Sequence, residues 1–326
     1  MRYQFDPELQ PWVSMLPDLD LRDLQAARAT MATLKVAMPP YVLPDGIRMQ
    51  PGTVPGPAGA PDVPVLVFSP EAGEARPALL YMHGGGFVLG DADGDKELPA
   101  LLAAEIGAVV VSVDYRLAPE SPFPAAIEDC YAALRWLAEH ASELGVDDTR
   151  IGIGGVSAGG GLAAGTALLA RDRGGPALRF QFFDVPELDD RLETPSMRRF
   201  VDTPLWNRPN AVASWRHYLG PAAGNDAVSS YAAPARAVDL SGLPPAYISV
   251  CEFDPLRDEG IAYAQRLVQH GVPAELHLYP GAFHGSGGLI PTAELSRRMR
   301  DELIGAVRRG VRAGRTRVPA HPAETW

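Results

Sequence analysis

Cysteine is nearly missing from this 326-residue chain, which has only Cys130 and Cys251. Each lies in an apolar pattern, so both read as buried free thiols in a reducing compartment, and nothing supports a disulfide between them. Long apolar runs are also lacking. No stretch is long and apolar enough to cross a bilayer, and the opening MRYQFDPELQPW has no signal-peptide core. These absences predict a cytoplasmic protein with no stable membrane insertion. Positive charge is in deficit, with 29 Lys and Arg against 40 Asp and Glu for a net charge of -11. That balance argues against nucleic acid as a partner. The chain has no C-x-x-C, no H-E-x-x-H and no nucleotide loop, so neither a metal nor an organic cofactor is expected. It has no internal repeat.

What is present suits a large globular α/β domain, with 46% hydrophobic and 21% charged residues. In the first forty residues Leu21, Leu24, Ala27, Met31 and Leu34 recur at helical spacing. PPYVLPDG and PGTVPGPAGAPD follow and read as a linker. From Val63 onward short β-rich runs appear: VPVLVFS, PALLYMH, AVVVSVDY, RIGIGGVS, RFQFFDVP, PAYISVCEF and AELHLYP. Amphipathic segments separate several of them. The clearest is AAIEDCYAALRWLAEHA, with Ile127, Cys130, Tyr131, Leu134 and Leu137 on one face. Apolar strands without strict alternation, interleaved with helices, predict a mostly parallel sheet covered on both faces. The rhythm stops between Pro186 and about Pro234, where helices over the edge of the sheet are expected. TAELSRRMRDELIGAVRRGV predicts a last amphipathic helix with Leu295, Met299, Leu303 and Val307 inward and its arginines solvated. The final dozen residues read as frayed.

The stretch IGIGGVSAGG fails the dinucleotide pattern, because Ser157 occupies the place of the third glycine. It fails the P-loop pattern for want of a lysine. It fits G-x-S-x-G from Gly155 to Gly159, between a strand and a helix. A serine on so sharp a turn has a strained backbone, and side chains two positions away would strike neighbouring main chain. Gly160, Gly161 and Gly165 would let the helix approach the sheet. The pentapeptide alone is common, so independent partners are required. His83-Gly84-Gly85-Gly86 follows a strand and exposes main-chain N–H groups that could meet an oxyanion opposite the N–H of Ala158. Among seven histidines, His284 alone sits in a loop directly after the last strand, where an imidazole can reach a serine. His83, His140, His217, His270, His277 and His321 read as structural or exposed. Asp254 follows a strand immediately. Asp258 reads as a first-turn partner of the helix dipole. The order Ser157, Asp254, His284 is that of the α/β hydrolases.

HGGGF, DYRLAPE, FPAAIED, GGVSAGG, DPLRDEG and His284-Gly285, spread in order from about residue 80 to 285, resemble the bacterial hormone-sensitive-lipase branch of the α/β-hydrolases. The resemblance implies an α/β-hydrolase fold with an eight-stranded, mostly parallel sheet, helices on both faces and a helical cap. It implies an N-terminal cap segment and linker over 1–57, core over 58–186, a cap insertion over 187–234 and the remaining core over 235–326. It implies Ser157 as nucleophile, Asp254 and His284 as its partners, and Gly85, Gly86 and Ala158 as oxyanion donors, with DYRLAPE as support. Phe200, Leu205, Trp206 and Trp215 would either wall an acyl or alcohol pocket or join cap to core. The expected activity is a serine carboxylesterase acting on small, short-to-medium acyl esters through an acyl-enzyme. The alternatives are hydrolysis of an amide, lactone or carbamate, acyl transfer, or a non-catalytic ligand receptor. Relatives often pair, so a homodimer is possible. The chain departs from the family in two places. Val156 stands where an acid or threonine is usual. Ser286-Gly287-Gly288 follows the His-Gly pair in place of a bulky aliphatic residue, which implies a looser loop.

Overall fold

The computed structural model describes residues 3–37, 39–71, 73 and 75–312, so the tail read as frayed, His321 included, lies outside the described residues. The strands are β1 Ile47–Val54, β2 Val63–Pro70, β3 Arg76–Met82, β4 Val109–Val113, β5 Val146–Val156, β6 Phe180–Asp184, β7 Ala246–Phe253 and β8 Ala274–Phe283. The helices are α1 Leu24–Ala37, α2 Glu97–Ile106, α3 Ala125–Glu139, α4 Ala158–Asp172, α5 Pro195–Arg199, α6 Arg208–Leu219, α7 Arg257–Gln269, α8 Ser286–Leu289 and α9 Glu294–Gly310. The strands form one sheet in the order β1-β2-β4-β3-β5-β6-β7-β8. β1 and β2 pair antiparallel, as do β2 and β4, and the other neighbours are parallel.

The central strands do not alternate in polarity because both of their faces are buried. Ala78, Leu80 and Met82 of β3 join Val109, Val111 and Val113 of β4 in one core, with Ile127, Cys130, Leu134 and Leu137 of α3 and the apolar residues of α4. Leu79, Tyr81 and Val110 face the opposite way, onto Ala100, Leu102 and Ala103 of α2 and Leu303, Ile304 and Val307 of α9. Tyr131, expected on the inner face of α3, is only half-buried.

Three expectations need correction. The Pro/Gly stretch read as linker contains β1, whose Pro51 pairs in register with Leu66 of β2. At the sheet edge the missing proline N–H leaves no partner unsatisfied. The helix of the first segment exists, but Met31 and Leu34 are 37% and 38% exposed. Only its first half packs, and there Arg28 donates to Val88 O at 3.1 Å and to Ala118 O at 2.9 Å. The loop after His284 is not loose: Ser286–Leu289 is a helical turn in which Leu289 N–H donates to Gly285 O at 3.1 Å.

The N-terminal segment and the segment after β6 join over the C-terminal ends of the strands. Leu21 N–H donates to Asn210 Oδ1 at 3.0 Å, and Asn210 Nδ2 donates back to Leu19 O at 2.7 Å.

Candidate active site

Ser157 sits between β5 and α4 with φ 57° and ψ -122°. A non-glycine residue at positive φ is strained and persists only when its surroundings hold it. Here Ser157 N–H donates to Asp184 O at 2.8 Å, and Ser157 O accepts from Gly161 and Glu187, each at 3.1 Å. The flanking glycines are steric necessities. A Cβ on Gly155 would lie 2.5 Å from Met82 O, and one on Gly159 would collide with Met82 O and His83 O. Gly160 stands close to the sheet as expected, since an added Cβ would lie 3.2 Å from Gly155 O of β5, whereas Gly161 and Gly165 serve other neighbours. Added Cβ atoms on the three would press on Pro186, Glu187 and the Tyr231 carbonyl in turn, so these glycines also admit the loops that cover the helix.

Asp254 follows β7 directly and is fully buried. Its Oδ1 accepts Leu256 N–H at 2.9 Å, and its Oδ2 lies 2.7 Å from His284 Nδ1. His284 follows β8 directly, and its Nε2 lies 2.9 Å from Ser157 Oγ. With Nδ1–H donating to the carboxylate, Nε2 is left as an acceptor for the serine hydroxyl. Ser157 is 4% exposed and His284 7%. Asp258 does more than face a helix dipole: its Oδ2 accepts Ser196 N–H at 2.7 Å and so ties α7 to α5.

The glycine strip after β3 runs beside the serine. A Cβ on Gly84 would stand 3.6 Å from Ser157 Cβ. Gly85 and Gly86 take φ of 127° and 58°, and a Cβ on Gly86 would lie 2.5 Å from Trp206 Cη2. Among the described residues, no main-chain carbonyl outside the regular helix and strand bonding accepts from the N–H groups of Gly85, Gly86 or Ala158. DYRLAPE braces this strip from below. Tyr115 OH donates to His83 O at 2.8 Å, and its ring stacks on His83 at 4.2 Å between centroids. Burial holds the His83 pKa below the ordinary value, which favours a neutral ring. Arg116 clamps Asp129 of α3 through Nε and Nη2, at 2.8 and 2.7 Å. Asp95 accepts Tyr81 OH at 2.8 Å, and burial pushes its carboxyl up to about 6.

The four aromatic and aliphatic candidates divide. Trp206 faces the site, its ring 5.8 Å from that of His284. Leu205 is close by: its Cδ1 would lie 3.7 Å from a Cβ on Gly285. Phe200 and Trp215 are each 1% exposed. Phe200 packs on Tyr3 and Phe253, and Trp215 on Phe87 and Tyr218. They join the covering segments to the core, because their rings find apolar partners on both sides. At the unusual Val156, an acid stands one strand over. Asp184 pairs in register with Val156 and accepts the Ser249 hydroxyl. Burial raises its pKa.

The other described histidines lie outside this cluster. His140 bonds Trp136 O, His217 bonds Leu21 O, His270 faces Asp239 and His277 lies between Glu275 and Glu302. Ser214 and Glu187, both fully buried, carry no local sequence signal; Ser214 Oγ lies 2.8 Å from Gly86 O and 3.3 Å from Glu187 Oε1. Among the described residues no group of three or more His, Cys, Asp or Glu is placed to hold a metal. Nor is any described helix long and apolar enough to cross a membrane.

An eight-stranded sheet with a strained serine after a central strand, and an imidazole and carboxylate at two later strand ends, defines the α/β-hydrolase class of protein. The model of the family described as the alpha/beta hydrolase fold matches residues 79–287. Carboxylesterase NlhH of Mycobacterium tuberculosis is 41% identical over 288 residues, which is 86% of this chain and 89% of that one. Esterase LipI of the same organism is 45% identical over 69% of this chain and 70% of its own. A solved bacterial heroin esterase superposes with a TM-score of 0.93 at 52% identity, covering 95% of this chain and 99% of that one. The chain belongs to the hormone-sensitive-lipase branch of the α/β-hydrolase family.

Proposed function

We propose that this enzyme hydrolyses small carboxylic esters through an acyl intermediate on Ser157. The observation that carries the reading is the bridge made by His284, with Nε2 2.9 Å from Ser157 Oγ and Nδ1 2.7 Å from Asp254 Oδ2.

Ser157 Oγ attacks the ester carbonyl carbon while its proton passes to His284 Nε2. Asp254 holds the Nδ1–H, which fixes the tautomer and stabilises the imidazolium. The carbonyl oxygen becomes an oxyanion and meets the N–H groups of Gly85, Gly86 and Ala158. Collapse expels the alkoxide, which takes the proton from His284 and leaves as the alcohol. A water then gives a proton to Nε2 and attacks the acyl carbon. The second collapse returns the proton to Ser157 Oγ and frees the carboxylic acid.

The segments 3–46 and 187–234 serve as the cap. The low exposure of Ser157 and His284 and the position of the Trp206 ring favour short acyl groups. Burial raises the pKa of both Cys130 and Cys251 thiols, so they stay unreactive, in keeping with a reducing cytoplasm.

A panel of p-nitrophenyl esters from acetate to palmitate, with matched anilides and lactones, tests the reading. Turnover greatest on short esters supports it. Turnover greatest on palmitate, or on the anilides, overturns it.

A further inference from the structure

Glu187 opens the segment inserted after β6 and is fully buried. Its Oε1 lies 3.3 Å from Ser214 Oγ, and its Oε2 has no hydrogen-bond partner among the described residues. Ser214, on α6, is fully buried too, and its Oγ lies 2.8 Å from Gly86 O. A hydroxyl carries one proton. The shorter contact takes it, so Ser214 donates to Gly86 O. The contact with Glu187 is then a hydrogen bond only if the carboxyl is protonated and donates to Ser214 Oγ.

The surroundings agree. Asp254, at the end of β7, and Glu259, on α7, are the acids that bear on this group. Asp189 and Asp190, on the same segment, are engaged by Arg191 and Arg236. Burial and the nearby Asp254 raise the Glu187 pKa well above the ordinary carboxylate value. The Glu187 N–H donates to Ser157 O, so one residue touches both the serine turn and, through Ser214, the glycine strip.

We propose that Glu187 is a positioning residue, a neutral carboxylic acid that donates to Ser214 and thereby fixes the Gly86 carbonyl and the strip presenting the Gly85 and Gly86 N–H groups. The relay Glu187 to Ser214 to Gly86 fastens the covering segments to the oxyanion-binding main chain. It rests on the esterase reading of the site.

Three variants separate donation, charge and volume. Glu187→Gln keeps a donor without charge, Glu187→Met keeps volume alone, and Ser214→Ala cuts the relay at α6. With p-nitrophenyl butyrate, Glu187→Gln keeps kcat within about threefold of the parent. Glu187→Met and Ser214→Ala each lower kcat about 10- to 100-fold with KM within about threefold, and the double variant is no worse than the poorer single one. Equal kcat in Glu187→Met and Glu187→Gln overturns the proposal in favour of packing. A Glu187→Gln as poor as Glu187→Met overturns it in favour of a charged carboxylate. Should Glu187→Met fail to fold, an undiminished kcat in Ser214→Ala overturns it. Loss of the esterase reading itself shows differently, as a parent enzyme that turns over no ester.

Discussion

Met82 and Gly159 are in close main-chain contact: the Met82 carbonyl occupies the space that a side chain at Gly159 would need. The strand that feeds the glycine strip and the helix that follows Ser157 are therefore pressed together by backbone alone. Both halves of the proposed reaction centre, the hydroxyl and the oxyanion donors, depend on that approach.

Gly159→Ala places a methyl between two carbonyls that cannot retreat. Its expected cost is about 2–3 kcal/mol of stability, together with most of the activity. Chemical denaturation and esterase assays on the same preparation check it. Gly174→Ala is a poor control because its φ is 60°, so the comparison belongs at Gly288, where nothing lies within 4 Å of an added Cβ.

Asp254→Asn keeps the hydrogen-bond length but offers a donor as readily as an acceptor, which lets the His284 ring take the wrong tautomer. The expected loss in kcat is about 10⁴-fold. It is measured with p-nitrophenyl butyrate at neutral pH, with circular dichroism to show that the fold survives.

Trp206→Ala removes the ring that lies beside both His284 and Gly86. The ratio of kcat/KM for octanoate to that for acetate should rise about tenfold or more. Phe200→Ala, by contrast, empties a buried aromatic cluster. It should cost about 3–5 kcal/mol with little change in that ratio, since Phe200 packs on Tyr3 and Phe253.

Glu187 and Glu259 both have folded-state pKa values raised by burial. Their unfolded values lie near 4.5. The folded state therefore holds protons that the unfolded state releases. This contribution to stability is fully present below the unfolded value and is lost as pH rises toward the folded one. The slope approaches about 1.4 kcal/mol per pH unit for each group. Urea midpoints of the parent should fall from pH 5 to 8 by more than those of Glu187→Gln, which lacks one of the two titrations.

Much of this was legible in the chain because strand ends carry the chemistry. Ser157, Asp254 and His284 each follow an apolar run directly, and three strand ends of one parallel sheet meet on one side. β1 was hidden because Pro51 and Gly52 carry turn signals, and only its edge position makes them tolerable. The duties of Phe200 and Trp215 were ambiguous for another reason: an aromatic side chain in an inserted segment has the same pattern whether it lines a pocket or fills a seam. Glu187 was invisible because an acid in ELDD reads as solvated, and nothing local says that α4, α6 and α7 enclose it.

The most direct measurement is intact and peptide mass spectrometry after treatment with a p-nitrophenyl phosphonate ester, which traps an activated serine. The account predicts one adduct per chain, on the peptide carrying Ser157, with labelling slowed at least about 10³-fold in His284→Ala. A dominant adduct on another residue, or equal labelling rates with and without His284, would contradict it.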